Sequence, residues 1–454
     1  ALGGLWAEAG EIPNAIVGPH LRPKARSVIF LFMAGGVSHI DTFDPKGNAH
    51  AGQLMDAVGF GDNLAAMKRP VIPCHRTFTR HGKSGTPVSD WFPHVGGVID
   101  EIAVVRSMWC HEGNHFPAVI ETCTGQRGRQ FDHPSFGAWV SYALGSENRN
   151  LPTFVNIGRP SSPVQLTGGY LGAGVSATPF QAGPTPVPHL HPPEGLSARE
   201  RDRQMELLES MNGEFRARHA LQSAIQARTR AYELAARMQL AAPEALDLSK
   251  EPAWIQENYG IDNTTKKWPS EINAREETDI MGRKCLTARR LIERGVRFVQ
   301  IWSGNDNSFP RRNWDSHENI AQDHGPLAMG MAKPIAALIE DLKQRGLLED
   351  TIILWTTEFG RMPCAQGGKG RDHNPFVFTN WLCGGGIRGG ITHGESDQWG
   401  YKPADRSNTT EVYDIHATIL HLLGIDHTRL TFRHNGVDRR LTDVHGEVIR
   451  PILA

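Results

Sequence analysis

Several stretches of the chain are apolar at nearly every position and end in glycine or a polar loop. Ser27–Met33 (SVIFLFM) runs into Ala34-Gly35-Gly36 and then into a loop carrying His39 and Asp41. IAVVRSM (Ile102–Met108), PTFVNIG (Pro152–Gly158), GVRFVQIW (Gly295–Trp302), DTIILWTTEFGR (Asp350–Arg361) and FVFTNWLCGGG have the same texture. Continuous apolarity over so few residues suits strands buried on both faces, as in a parallel sheet. Glu358 falls at the carboxyl end of the Asp350–Arg361 strand. Helical periodicity marks GMAKPIAALIEDLKQRGLL from Gly330 and VYDIHATILHLLGI closing at Gly424, while Asp323-His324-Gly325 reads as a helix-flanking turn. The alternation predicts an α/β domain, a mostly parallel central sheet with helices on both faces, over residues 27–454. One segment departs from this rhythm. Leu196–Leu246 is rich in Ala, Leu, Glu, Arg and Gln, and predicts a helical insertion (about 196–250) of two long helices broken near Asn212-Gly213. These helices would pack on the core or cap a site, and the Pro-rich TPFQAGPTPVPHLHPPEG before them is an irregular connector.

Charge narrows the partners. Lys+Arg 48 against Asp+Glu 49 gives a net charge of -1, without the cationic surplus that nucleic acid or an anionic membrane surface requires. No apolar run approaches the roughly 18–20 residues needed to span a bilayer as a helix. Six cysteines are scattered without a C-x-x-C pair, which argues against a thiolate metal or redox site. Residues 1–26 form an N-terminal extension whose opening, ALGGLWAEAG, reads as the remnant of an export leader.

With 21 His in the chain, the candidate chemistry concentrates in loops. Asp41 stands with His39; His111, Asn114 and His115 share CHEGNHFPA; Asp315 and His317 share NWDSHEN; Glu358 is followed by Asp372 and His373 in GRDHNPF. Carboxylates and imidazoles converging from separate strand ends make a divalent metal site, zinc or manganese in preference to magnesium or calcium. His416 and His421, spaced five apart on the last helix, read as packing residues, and His434 and His445 as salt-linked structure.

The order of these elements resembles the alkaline-phosphatase superfamily of phosphatases, sulfatases, nucleotide pyrophosphatases and cofactor-independent phosphoglycerate mutases. IAALIEDLKQRGLLEDTIILWTTEFGR is similar to the helix–strand unit of sulfatases, with Glu358 where they place a metal-binding Asp. DHNPFVF is similar to the mutase segment whose His binds metal. More closely, FMAGGVSHIDTFDPK, WDSHEN, TTEFGRMP, GRDHNPF, GGGIRGG and LTDVHGEV together resemble domain-of-unknown-function family 1501, a sulfatase-like family whose members often carry twin-arginine export leaders. The resemblance implies an alkaline-phosphatase-like three-layer fold, a small anionic ester as substrate, and a periplasmic or secreted location. It further implies up to two metals, one on Asp41 and Glu358 and the other on Asp315, His317 and His373. Such ions, roughly 4 Å apart, would clamp a phosphate or sulfate group. Asp372 would be a further ligand or the partner of His373, and Arg361 would hold a substrate oxygen or form a surface salt bridge.

One departure bears on mechanism. In these enzymes a Ser, Thr or Cys nucleophile precedes a Thr-Gly dipeptide by a fixed spacing, and that spacing counted back from Thr124 lands on His115. Nor is there a C-x-P-x-R or S-x-P-x-R sequence to mature into a formylglycine. His115 is then a metal ligand, a base, a nucleophile, or simply the start of a helix. The implied reaction is direct attack by metal-activated hydroxide; the alternative is a metal- or anion-binding protein without turnover.

Overall fold

The structure is a computed structural model. It describes residues 17–454 apart from 59–65, 128–132, 161–162, 182–185, 188–197, 219–233, 235–236, 239–241, 263–273, 305–312 and 366–367. Among the described residues the apolar stretches are strands of one nine-stranded sheet: β1 (Ser27–Met33), β2 (Ile102–Trp109), β3 (Phe154–Ile157), β4 (Thr178–Phe180), β5 (Phe298–Ser303), β6 (Thr351–Thr356), β7 (Phe378–Cys383), β8 (Ile391–His393) and β9 (Thr410–Glu411). Their order is β8-β2-β7-β6-β1-β5-β3-β4, with β9 also paired to β2. β1 lies parallel between β5 and β6, with Val28 opposite both Phe298 and Ile352. β7 is the reversed strand, antiparallel to β6 and β2. The sheet is therefore mostly parallel.

Helices cover both faces. Ile29, Leu31 and Met33 of β1 point into a core shared with α4 (Ala274–Glu293) and α5 (Ile320–Gln344). Val28, Phe30 and Phe32 point into a second core with α1 (His115–Thr124), α2 (Phe136–Leu144) and α6 (Val412–Leu422). Every residue of β1 is buried, which is why its sequence shows no alternation. Each of its apolar side chains, Val28 to Met33, contributes about 1.5–3 kcal/mol on leaving water. Among the described residues, no helix is long and apolar enough to cross a membrane.

Three expectations change. The strand expected to reach Arg361 stops at Thr356, and Gly360–Arg361 instead pairs with His373–Asn374. The helix expected from Gly330 begins at Ile320, where Asn319 caps it by accepting from the Ala321 and Gln322 amides. It absorbs Asp323-His324-Gly325, because His324 is buried and accepts the Ser38 amide at 3.1 Å. Gly325, Pro326, Gly330 and Pro334 dilute the local helical signal, and burial on the sheet overrides it. In the insertion, α3 (Ala198–Arg218) runs unbroken through Asn212-Gly213. A glycine in a helix costs only about 1 kcal/mol, too little to end one. Leu207 and Met211 on it are each 61% exposed. The expected second helix lies largely outside the described residues. At the other end, the last residues of the N-terminal extension follow α6, with Lys24 and Ala25 donating to the Leu422 carbonyl.

Candidate metal centre

The carboxyl ends of β1, β2, β5 and β6 open on one edge of the sheet, and each releases a loop that carries a candidate residue. After β1 the chain turns through Gly35 and Gly36, both at positive φ. A Cβ on Gly35 would stand 2.3 Å from the Asp315 nitrogen, and one on Gly36 would stand 2.7 Å from the Phe359 ring. Only glycine lets the loops after β1, β5 and β6 come this close. The Gly35 amide donates to Glu358 Oε1 at 2.7 Å, and the Thr357 hydroxyl donates to Glu358 Oε2 at 3.1 Å.

His115 opens α1, following an extended Asn114, so its ring projects from the first turn. Its Nδ1 donates to Glu358 Oε1 at 2.8 Å, which turns Nε2 toward Asp315 Oδ1 at 3.3 Å. His317 Nε2 lies 2.9 Å and His373 Nε2 3.4 Å from the same oxygen, and the two imidazole nitrogens are 2.9 Å apart. Arg361 donates to Asp315 Oδ1 from behind at 2.8 Å. Ligand atoms of His115, Asp315, His317 and His373 thus lie within 4.8 Å of one another. Their side chains keep 13%, 12%, 25% and 11% exposure, so one side of the cluster faces solvent.

The donor set fits a divalent ion. His373 Nδ1 donates to the Gly113 carbonyl at 2.8 Å, and His115 Nδ1 is held by Glu358. In both rings a partner on the far nitrogen aims the near nitrogen inward, where it can offer a lone pair to a metal that displaces its proton. His115 Nε2 is buried without a hydrogen-bond partner. Burial and the Arg361 charge hold His373 well below the usual imidazole range, favouring the neutral ring. Burial would also lower His115, but the Asp315 and Glu358 carboxylates outweigh it and lift it to about 9. Burial would raise Asp315, yet the three imidazoles against its carboxylate, with Arg361 behind, drive it far below the carboxylate range. Negative charge ringed by inward-facing nitrogens is what a cation, or a proton in its place, neutralises.

The chain matches, over residues 25–453, the family described as "Protein of unknown function (DUF1501)". It belongs to that family. No protein of curated function matches this DUF1501 chain in sequence. Among solved structures it is similar to the lipoteichoic acid synthase LtaP from Listeria monocytogenes, with 8% identity, 94% of this chain and 78% of that one covered, and a TM-score of 0.39. It is also similar to the C-terminal periplasmic domain of EcEptC from Escherichia coli in complex with Zn (9%, 91% and 87%, 0.36). A third is the PsFucS1 sulfatase from Pseudoalteromonas sp. (13%, 88% and 68%, 0.34).

The other candidates of this DUF1501 chain are not among the four converging donors. Asp41 is buried, and both of its oxygens meet Arg371, at 2.7 and 3.2 Å, with the Ser38 hydroxyl at 2.5 Å. Burial would raise Asp41, but Arg371 and Ser38 hold it at about 2. It shares no partner with Glu358, whose contacts are His115, Gly35 and Thr357. His39 is buried against the Gly400 carbonyl at 2.8 Å. Asp372 is paired with Arg69 at 2.6 Å, accepts the His373 amide at 2.8 Å, and lies 4.0 Å from His317 Nδ1. Its side chain therefore approaches His317, while it touches His373 only through the main chain. Arg361 reaches neither the surface nor an open cleft. It is fully buried, with its guanidinium on the carbonyls of Gly35, Gly36, Trp314 and Arg371 as well as on Asp315. Asn114 is exposed and makes no capping hydrogen bond from its side chain. His111 pairs with Glu121 at 2.7 Å. Arg371, Arg69 and Glu121 were missed in the sequence; an arginine directly before Asp372-His373 was the one available signal.

Proposed function

We propose that this DUF1501 protein is a metal-dependent hydrolase of a phosphate or sulfate ester, of the alkaline-phosphatase superfamily, exported to the periplasm or beyond by the twin-arginine route. The observation that carries the reading is the convergence of His115, Asp315, His317 and His373 on one partly exposed point at the carboxyl edge of a mostly parallel sheet. Three imidazoles and a carboxylate suit zinc or manganese. A divalent ion there would supply Lewis acidity toward an ester oxygen and toward water. The chain's own residues orient the donors: Glu358 turns His115, the Gly113 carbonyl turns His373, and Arg361 aims Asp315. With the Glu358 and Asp315 charges set against Arg361 and a divalent ion, the centre is left net positive, which favours an anionic substrate. His115 fills the nucleophile's position with Nδ1 committed to Glu358, so the reading has no covalent ester intermediate on the protein.

Elemental analysis of the purified chain, followed by assay of aryl phosphates and aryl sulfates with zinc or manganese supplied, tests it. The expected result is bound metal, with turnover abolished in Asp315→Ala. Metal-free protein that takes up neither ion would defeat the proposal. The committed His115 and the fully buried Arg361 favour a second reading, a metal- or anion-binding protein without turnover. Tight metal binding with no hydrolysis of either ester class would select it.

A further inference from the structure

Glu121 is fully buried on α1, six residues beyond His115, and touches none of the four donors. Both of its oxygens turn back on a single residue: Oε1 accepts His111 Nδ1 at 2.7 Å, and Oε2 accepts the His111 main-chain amide at 3.2 Å. A buried carboxylate is costly, and a well-packed apolar side chain in its place is often neutral or stabilising. Stability therefore does not account for an acid here. The chain between the two residues does. The 111–121 segment holds His115, and it holds Gly113, whose carbonyl accepts His373 Nδ1. At its start, the Cys110 amide donates to the Pro375 carbonyl at 3.0 Å, just past His373. The carboxylate closes a loop of chain that carries one donor and the orienting group of another.

We infer that Glu121 is a positioning residue for the cation centre, acting through His111 to fix the loop that presents His115 and orients His373. This rests on the cation-centre reading above. Fixing the loop removes the freedom of its main chain before the ion arrives, so its loss falls on affinity more than on folding. Substitution of a group that orients metal ligands typically costs roughly 10–100-fold in affinity.

The test titrates zinc, against a chromophoric chelator, into the metal-free full chain of the native protein, Glu121→Leu, His111→Gln and the double variant, with thermal midpoints taken without metal. The expected result is an affinity loss of roughly 10–100-fold for each single variant at a metal-free midpoint near native. The double variant should lose no more than the larger single, because the two residues act as one unit. Should Glu121→Leu not fold, Glu121→Gln replaces it; it keeps the shape and one acceptor and should lose less affinity. Native affinity in a folded Glu121 variant overturns the inference, as does a double variant that loses the sum of the singles. A native chain that binds neither zinc nor, in a parallel titration, manganese overturns the cation-centre reading itself.

Discussion

Asp41 and Asp315 follow parallel strands at the same edge of the sheet, and both are buried, yet they sit in opposite electrostatic states. Asp41 meets one guanidinium, that of Arg371, with both oxygens, and a hydroxyl completes its shell. Its charge is closed within the protein. Asp315 also meets an arginine, Arg361, but the same oxygen then faces three imidazole nitrogens that can be neutral, and that side remains partly exposed. Its charge stays available. A strand-end aspartate is therefore no sign of a metal site by itself. What decides is whether the surrounding nitrogens are permanent cations or lone-pair donors.

The contrast breaks first at the donors. Asp315→Ala should remove essentially all bound metal in elemental analysis, while Asp41→Asn should keep native stoichiometry in whatever fraction folds. Metal retained by Asp315→Ala would end the distinction. Next in size is stability. Asp41→Asn strands the buried Arg371 charge and should cost about 3–5 kcal/mol in urea unfolding. A loss below about 1 kcal/mol would mean that the pair is not closed. Chelation sharpens the comparison further. It should lower the thermal midpoint of the native chain and leave that of His373→Ala unmoved, since metal that binds only the folded state adds to its stability. The smallest effect is the acid limb. Asp41 is held at about 2 in the fold, below the ordinary carboxyl value. Its contribution is complete above about pH 4 and is lost as pH falls toward 2. Asp41→Asn should flatten unfolding free energy over that window, and an unchanged slope would assign acid sensitivity elsewhere.

The strands were legible because a sheet buried on both faces leaves a direct trace in sequence: SVIFLFM needs no alternation to be recognised. The donors were legible for a similar reason. Asp315 and His317 sit in a polar stretch just before α5, and His373 shortly before the apolar strand β7. The allocation of charge was not legible. Arg69 reaches Asp372 from a hairpin strand (Ala66–Pro70) far away in the chain, and nothing local distinguishes Arg371, paired with Asp41, from Arg361, which aims Asp315. Ion pairing between distant segments depends on the tertiary fold, to which local periodicity is blind. The early start of α5 was hidden for the complementary reason, since its glycines and prolines argue against a helix that only packing on the sheet sustains.

The position of β1 has a consequence for how the chain is made. It emerges first, but its partners β5 and β6 follow roughly 270 and 320 residues later. At about 5–20 residues per second, the ribosome leaves an apolar strand unpaired on both edges for on the order of fifteen seconds to a minute. Such a strand is a template for wrong pairing until its neighbours arrive. Nascent chains released before β5 should therefore fail to collapse into a native sheet and should instead engage holding chaperones, a burden set by the topology at the centre of the sheet.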